Sequence, residues 1–261
     1  MDRIKRTVKF VLLLIGSIVC RNHKSKILYY HDIYLDHSYK SLDSDILMGT
    51  SIEMFKKHLT AIKNEGYRIV PQITNPEGEV AIMLDDGFRG IWDNCQFFYE
   101  NNLCPTVFLA VDLIGKEGFL TEEEILELQN HGFIFQCHGW SHKDLTSFND
   151  EELKKELVDS KNHLEKLLGR EVSEICLPLG FFSDHLVELT KKAGYKEVYS
   201  SVSGTYDNRV IGYMRTRNLC QFSSPLNLKL ILNGGSEIFR KRDINRHYKK
   251  YANTASSKCI P

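Results

Sequence analysis

The chain has 261 residues, 42% hydrophobic and 26% charged, with a formal net charge of zero. That length and balance fit one sizeable globular domain with at most a small appendage, and exclude a collagenous or broadly disordered chain. The charge is uneven: residues 1–26 and 240–261 each carry a net +6, leaving −12 for the middle, and an acidic globule with basic ends is not a nucleic-acid footprint, which needs a basic face on the fold itself.

The first segment, "RIKRTVKFVLLLIGSIVCRNHK", has a basic flank and an apolar run from Phe10 to Cys20. That run has 11 residues, short of the ~20 a spanning helix needs. No small-x-small cleavage site stands out, and Ser17-Ile18-Val19 before Cys20 makes a poor lipoprotein box. Residues 1–26 are therefore expected to be a membrane-associating segment lying in the interface, with residues 27–239 as the folded domain and 240–261 as a basic tail. Seven cysteines with no CxxC pair fit free thiols in a reducing compartment, which favours the cytoplasmic face of a membrane over export.

"KILYY" (26–30) reads as a strand ending at His31, and the polar stretch 32–49 as a loop. Thr50-x-x-Glu53 reads as a capping box opening a helix with Phe55, Leu59 and Ile62 on its apolar face, stopped at Gly66. "YRIV" and "EVAIML" are expected strands, "GIWDNCQFFYENN" a helix and "TVFLAV" a strand. Thr121-x-x-Glu124 caps a helix closed by Gly132, and "FIFQC" is a strand. A helix from Asn149 to Gly169, the strand "EICL", a helix from Ser183 to Ala193, and the strands "EVYSS" and "VIGYMRTRNL" complete the series. Strands alternating with helices imply parallel sheet, and at least seven strand candidates favour a barrel, where catalytic groups sit at the strand ends. His31, Asp85-Asp86, His138 and Pro178-Leu179-Gly180 all fall there.

"AIMLDDGFRG" places two like charges side by side, which calls for a cation nearby. His138 and His142 in "QCHGWSHKDL" are a weak motif alone, but they follow a strand as the Asp pair does. One carboxylate and two imidazoles form a three-ligand divalent site with a position left open for water, a catalytic rather than structural layout. The other carboxylate can then act as base. Gly87 is expected to leave room for substrate. Cys137 should face away from the site by strand alternation. His58 and His163 are expected on helix surfaces, Phe97-Phe98-Tyr99 in helix-to-barrel packing, and Trp140 either on a sugar ring or packed.

The stretches "AIMLDDGFRGIWDNCQFFYENNLCPTVFLA", "LTEEEILELQNHGFIFQCHGWSHKDLTSFNDEEL" and "ICLPLGFFSDHLVELTKKAGY" strongly resemble the polysaccharide deacetylase family of metal-dependent carbohydrate esterases, and "ILYYHDI" resembles the opening strand of its exopolysaccharide branch. The likeness covers about residues 27–220. It implies a distorted seven-stranded (β/α) barrel acting on an N-acetylated carbohydrate. It implies Asp85 as general base, Asp86, His138 and His142 as ligands of one divalent ion (zinc first, cobalt or nickel as alternatives), and the backbone N–H of Leu179, after Pro178, at the oxyanion. Pro178 and Trp140 are the candidate substrate contacts.

Three departures stand against the family pattern. Cys176 occupies the place of the usual base-orienting Arg, so Arg217 or Arg215, on the late strand, is expected to take that role. Gly139 replaces the usual Ser/Thr after the first His. The late Leu-x-His that carries the general acid has no counterpart, leaving His31 as a stand-in, while His247 falls in the expected tail. A missing acid matters less for an ester than for an amide, so carbohydrate O-acetyl esterase and a catalytically degenerate glycan-binding barrel are the alternative readings.

Overall fold

The computed structural model describes residues 3–35 and 49–249. Helix α1 (Arg3–Val19) leads into β1 (Lys26–Tyr30), the short strands β2 (Asp32–Tyr34) and β3 (Gly49–Ser51), and α2 (Ile52–Asn64). Then come β4 (Arg68–Ile69), β5 (Glu79–Leu84), the short helices α3 (Gly90–Asp93) and α4 (Cys95–Glu100), β6 (Thr106–Leu109), α5 (Glu122–Asn130) and β7 (Ile134–Cys137). Helix α6 (Asp150–Lys154) runs through a π turn (Lys155–Asp159) into α7 (Ser160–Leu168), followed by β8 (Glu174–Cys176), α8 (Asp184–Lys192), β9 (Glu197–Tyr199), β10 (Met214–Arg215), β11 (Asn218–Leu219), α9 (Pro225–Leu232) and α10 (Arg240–His247).

The strands pair in the order β10-β9-β8-β7-β6-β5-β1-β11, all parallel, with β4 added on β5. The expected late strand is split: Met214–Arg215 pairs with β9, and Asn218–Leu219 pairs with β1. These two halves of one extended segment close the sheet into a barrel, so the closed ring counts seven strands. Alternation sorts the side chains. Ile27, Tyr29, Ala81, Met83, Phe108, Cys176 and Tyr199 fill the barrel interior as one cluster. Their neighbours Leu28, Tyr30, Ile82, Leu84, Val107, Phe135 and Ile175 pack outward with the helices. Burial on both faces is what a parallel sheet covered by helices requires.

Several local expectations change. The helix cap at α2 is Ser51, whose hydroxyl accepts from the Met54 N–H, while the Thr50 hydroxyl donates to the Gln221 carbonyl. The expected helix over 90–102 breaks at Asn94, whose side-chain amide donates to the carbonyls of Ile33 and Gly90. Residues 32–34, expected in a loop, pair with β3 instead. His58 is fully buried, not on a surface: it follows Phe55 by three residues on the inward face of α2 and sits between the Tyr30 hydroxyl and the Ser223 carbonyl. The capping boxes at Thr121 and Asn149 are both formed.

Segments near both ends of the described chain pack on the barrel. Helix α1 packs on α9 and on the short turn Glu237–Phe239. Gly16 allows the approach, because a Cβ there would come within 2.5 Å of the Gly235 carbonyl oxygen. The expected tail folds into α10, and the chain is tied back by Phe182 N–H to the His247 carbonyl and Lys249 N–H to the Phe182 carbonyl. The last part of that tail, residues 250–261, lies outside the described residues, as does residue 259 of the seven cysteines. The other six are free thiols.

Candidate metal centre and catalytic cavity

A cavity of about 440 Å³ opens at the carboxyl ends of the strands. His31, Asp85, Asp86, His138, His142 and Leu179 line it. The Asp85 N–H extends the ladder by donating to the Tyr30 carbonyl, so alternation keeps this carboxylate inward with Ala81 and Met83. The chain then turns left-handed at Asp86 (φ 73°) and Gly87 (φ 79°), which separates the two carboxylates. Among the described residues four non-glycines have positive φ, and three of them, Asp86, His142 and Leu179, line the cavity. Strain of this kind persists where surrounding structure enforces it.

Asp86 Oδ1 lies 3.1 Å from His138 Nε2 and 2.9 Å from His142 Nε2. Despite those distances this buried oxygen has no aligned hydrogen bond. Two ring nitrogens and one carboxylate oxygen thus converge on one point, which is the donor set of a divalent cation. The tautomer agrees: His138 Nδ1 donates to the Cys176 carbonyl at 2.8 Å, leaving the Nε2 lone pair for a metal. Burial by itself would raise the Asp86 carboxyl, but the two histidines outweigh it and hold it well below the usual range. A second cluster, Asp85 with His138 and Cys176, fits a metal less well. Burial pushes the Cys176 thiol well up, and both Asp85 oxygens are engaged elsewhere.

They are engaged by Arg217. Its Nη1 and Nη2 reach Asp85 Oδ1 and Oδ2 at 2.7 and 2.8 Å, and Nη2 lies 2.8 Å from Cys176 Sγ. The guanidinium lies over the Tyr29 ring inside the barrel, 4.2 Å from its centroid. Burial would raise the Asp85 carboxyl, yet this pair lowers it. Arg215 goes elsewhere, to Glu197 and the Tyr206 ring. Of the two arginines, Arg217 is the one paired with Asp85, from the segment between β10 and β11 that also closes the barrel.

Sequence reasoning missed Glu156. Its buried carboxylate accepts from the backbone N–H groups of Trp140 and Ser141 at 2.7 and 3.0 Å, inside the loop between the two histidines. The π turn puts it there. It also accounts for Gly139: with φ at 77°, a Cβ would come within 3.1 Å of Glu156 Oε2. The signal was available, because Glu156 falls between Leu153 and Leu164 on the inward face of its helix.

His31 lines the cavity, with Nδ1 2.5 Å from Gln221 Oε1. A carboxamide oxygen only accepts, so Nδ1 carries a proton and Nε2 is the ring nitrogen left for the cavity. His31 lies close enough to lower both Asp85 and Asp86. His247, expected in a tail, also lines the cavity from α10, with Nδ1 on the Asp243 carbonyl at 2.8 Å. Burial lowers it, and it does not figure among the main charges acting on the Asp pair.

Three expectations need correction. Trp140 is not a wall of the cavity: its ring packs against Lys155 (4.8 Å to the centroid) and His163, so it serves the helix that carries Glu156. Pro178 is buried behind Leu179 and packs toward Gly139 rather than lining the cavity. Gly87 faces Leu109, where a Cβ would come within 2.7 Å of Cδ2, so packing and positive φ require it rather than substrate access. Cys137 does face away, toward Ser160.

Residues 72–198 match the model of the polysaccharide deacetylase family. That stretch of the chain is similar to this family. YxkH of Bacillus subtilis, named for the same family, is 25% identical over 172 residues, 60% of this chain and 61% of its own length. The peptidoglycan-N-acetylmuramic acid deacetylase PdaA of B. subtilis is 26% identical over 118 residues, 40% of this chain and 44% of its own. The chain thus spans less than two thirds of either curated relative. The fold matches that of the Streptococcus pyogenes deacetylase PplD, solved with acetate, at a TM-score of 0.68, with 21% identity, 80% of this chain and 98% of that one covered. The matched region contains the Asp pair, both histidines and Leu179, while His31, between β1 and β2, and Arg217, between β10 and β11, lie outside it.

Proposed function

We propose that this chain is a metal-dependent hydrolase that removes acetyl groups from an N-acetylated carbohydrate. The observation that carries it is the convergence of Asp86 Oδ1 with two imidazole nitrogens, beside an Asp85 clamped by Arg217. The activity for which PdaA is named, and the similarity of residues 72–198 to the polysaccharide deacetylase family, support the same chemistry.

A divalent ion held by Asp86, His138 and His142 would acidify water and polarise the acyl oxygen. Zinc heads the candidates, since two imidazoles, one carboxylate and an open position suit its tetrahedral preference; cobalt and nickel accept the same set. Asp85 takes the proton of the attacking water, and Arg217 keeps that carboxylate ionised and oriented. The water oxygen adds to the acetyl carbon. The Leu179 N–H donates to the oxyanion, a contact of this type being worth roughly 3 kcal/mol. As the C–N bond breaks, His31 Nε2 gives its proton to the leaving amine and acetate departs. Six free cysteines support a reducing compartment, hence the cytoplasmic face.

The test has two arms. Elemental analysis of purified protein should find close to one divalent ion per chain, lost in His138→Ala. Acetate should be released from N-acetylated oligosaccharides. Release from acetyl esters alone would make it an O-acetyl esterase, and metal without release from either would leave a glycan-binding barrel.

A further inference from the structure

Helix α1 has two apolar faces, and the barrel uses one. Leu13, Gly16 and Ser17 are buried against α9 and the Glu237–Phe239 turn. On the opposite side Ile4, Val8, Val11, Ile15, Ile18 and Val19 are 44–76% exposed. At 100° per residue these six fall within an arc of about 100°. A helix that only covered a barrel would carry polar residues there. A contiguous outward row of large aliphatic side chains marks a surface that something else covers.

The surroundings say what. Residues 1–26 carry a net +6, and Lys5 is exposed on the same helix, about 40° from the edge of the apolar row. Two copies packed through this face would bring the α1 lysines and arginines together, whereas anionic headgroups neutralise them. No described helix is long and apolar enough to cross a bilayer, which fits a helix lying in the interface rather than one inserted through it. The same helix forms part of the catalytic cavity, through Lys9 and Leu13.

We propose that the outward face of α1 docks this protein on an anionic lipid bilayer, seating the cavity wall formed by Lys9 and Leu13 at the headgroup layer. The docking does not depend on the chemistry proposed above. The apolar row enters the acyl boundary, and the flanking lysines and arginines stay at the phosphates.

The full chain is mixed with sedimenting vesicles of phosphatidylcholine alone, or with phosphatidylglycerol at equal amount, at low and high salt. Binding should be at least 10-fold stronger to the anionic vesicles and should weaken with salt. Val11→Glu/Ile15→Glu should lose at least 10-fold in binding while keeping wild-type circular dichroism and metal content. Leu126→Glu, at an exposed apolar position on α5, should bind as wild type. Ile15→Trp should shift its fluorescence to the blue on anionic vesicles only. A wild-type chain that stays in the supernatant with every vesicle overturns the proposal, as does a Val11→Glu/Ile15→Glu variant that binds unchanged. A concentration-dependent dimer, abolished by that variant and indifferent to vesicles, would make a second copy the occupant and overturn it too. Metal content and acetate release are read separately, so a failure here leaves the hydrolase reading standing, and the reverse.

Discussion

Arg217 and Asp85 form a bidentate ion pair at 2.7 and 2.8 Å, with both side chains essentially sealed from solvent and 132 residues of chain between them. The pair joins the barrel's closing strand to its catalytic one. Truncating one partner of a buried pair costs about 3–5 kcal/mol because the other charge is left unpaired. Arg217→Met should therefore lower stability by that order. It should also raise the Asp85 carboxyl, since burial then acts unopposed. The folded Asp85 lies below its unfolded value, so the pair stabilises fully above about pH 4. That stabilisation is lost as pH falls through the folded value. In the variant the acid limb of kcat/KM should move to higher pH. An unmoved limb would show that Asp85 is not the base.

His138→Ala, His142→Ala and Asp86→Asn should each lose the divalent ion, read by elemental analysis after dialysis. Asp85→Asn should keep it, because Asp85 faces Arg217 rather than the cluster. Activity should fall by at least 10²-fold in all four. Equal metal loss in Asp85→Asn would mean that the wrong carboxylate has been assigned.

Glu156 acts through the loop, not on substrate. Glu156→Ala should weaken metal affinity by roughly 10–100-fold, as removing partners that orient metal ligands does. Glu156→Gln keeps an acceptor oxygen and should recover much of that. Metal titration with a competing chelator measures both. Wild-type affinity in Glu156→Ala would leave the carboxylate a merely structural role.

His31→Gln should lower turnover of N-acetyl substrates by about 10²–10⁴, the usual contribution of a general acid. Acetyl esters, whose leaving group needs the proton less, should lose far less. Equal losses on both would point to His247, or to a packing role for His31.

Leu179 supplies a backbone group, so its side chain should be dispensable. Leu179→Gly relieves a residue held at φ 58° and keeps the N–H; kcat should stay within about threefold of wild type. A 10²-fold loss would assign the effect to the exposed leucyl side chain itself.

The alternating pattern of strands and helices was legible, because parallel strands buried on both faces read as short apolar runs. The caps at Thr121 and Asn149 were legible for a local reason: a side chain closes on a backbone group three residues away. Ser51 beside Thr50 shows the limit of that reading, since two adjacent cap candidates differ only in their tertiary partners. His58 was misread because only the aliphatic members of its helix face were counted, and a hydroxyl and a carbonyl satisfy its imidazole inside the core.

The sequence by itself determined which side chains gather at the strand ends, because Asp85, Asp86, His138 and His142 sit one or a few residues beyond buried strands that fix where they emerge. It could not choose between Arg215 and Arg217. Two residues apart, both fall on the same side by strict alternation, and only the split between β10 and β11 sends one to Glu197 and the other to Asp85. Nor could it show that α1 and α10 wall the cavity, that Gln221 fixes the His31 tautomer, or that Gly139 and Glu156 are matched. Those relations span from 17 to 190 residues of chain, and they exist only once closing the barrel brings its two ends together over one set of strand termini.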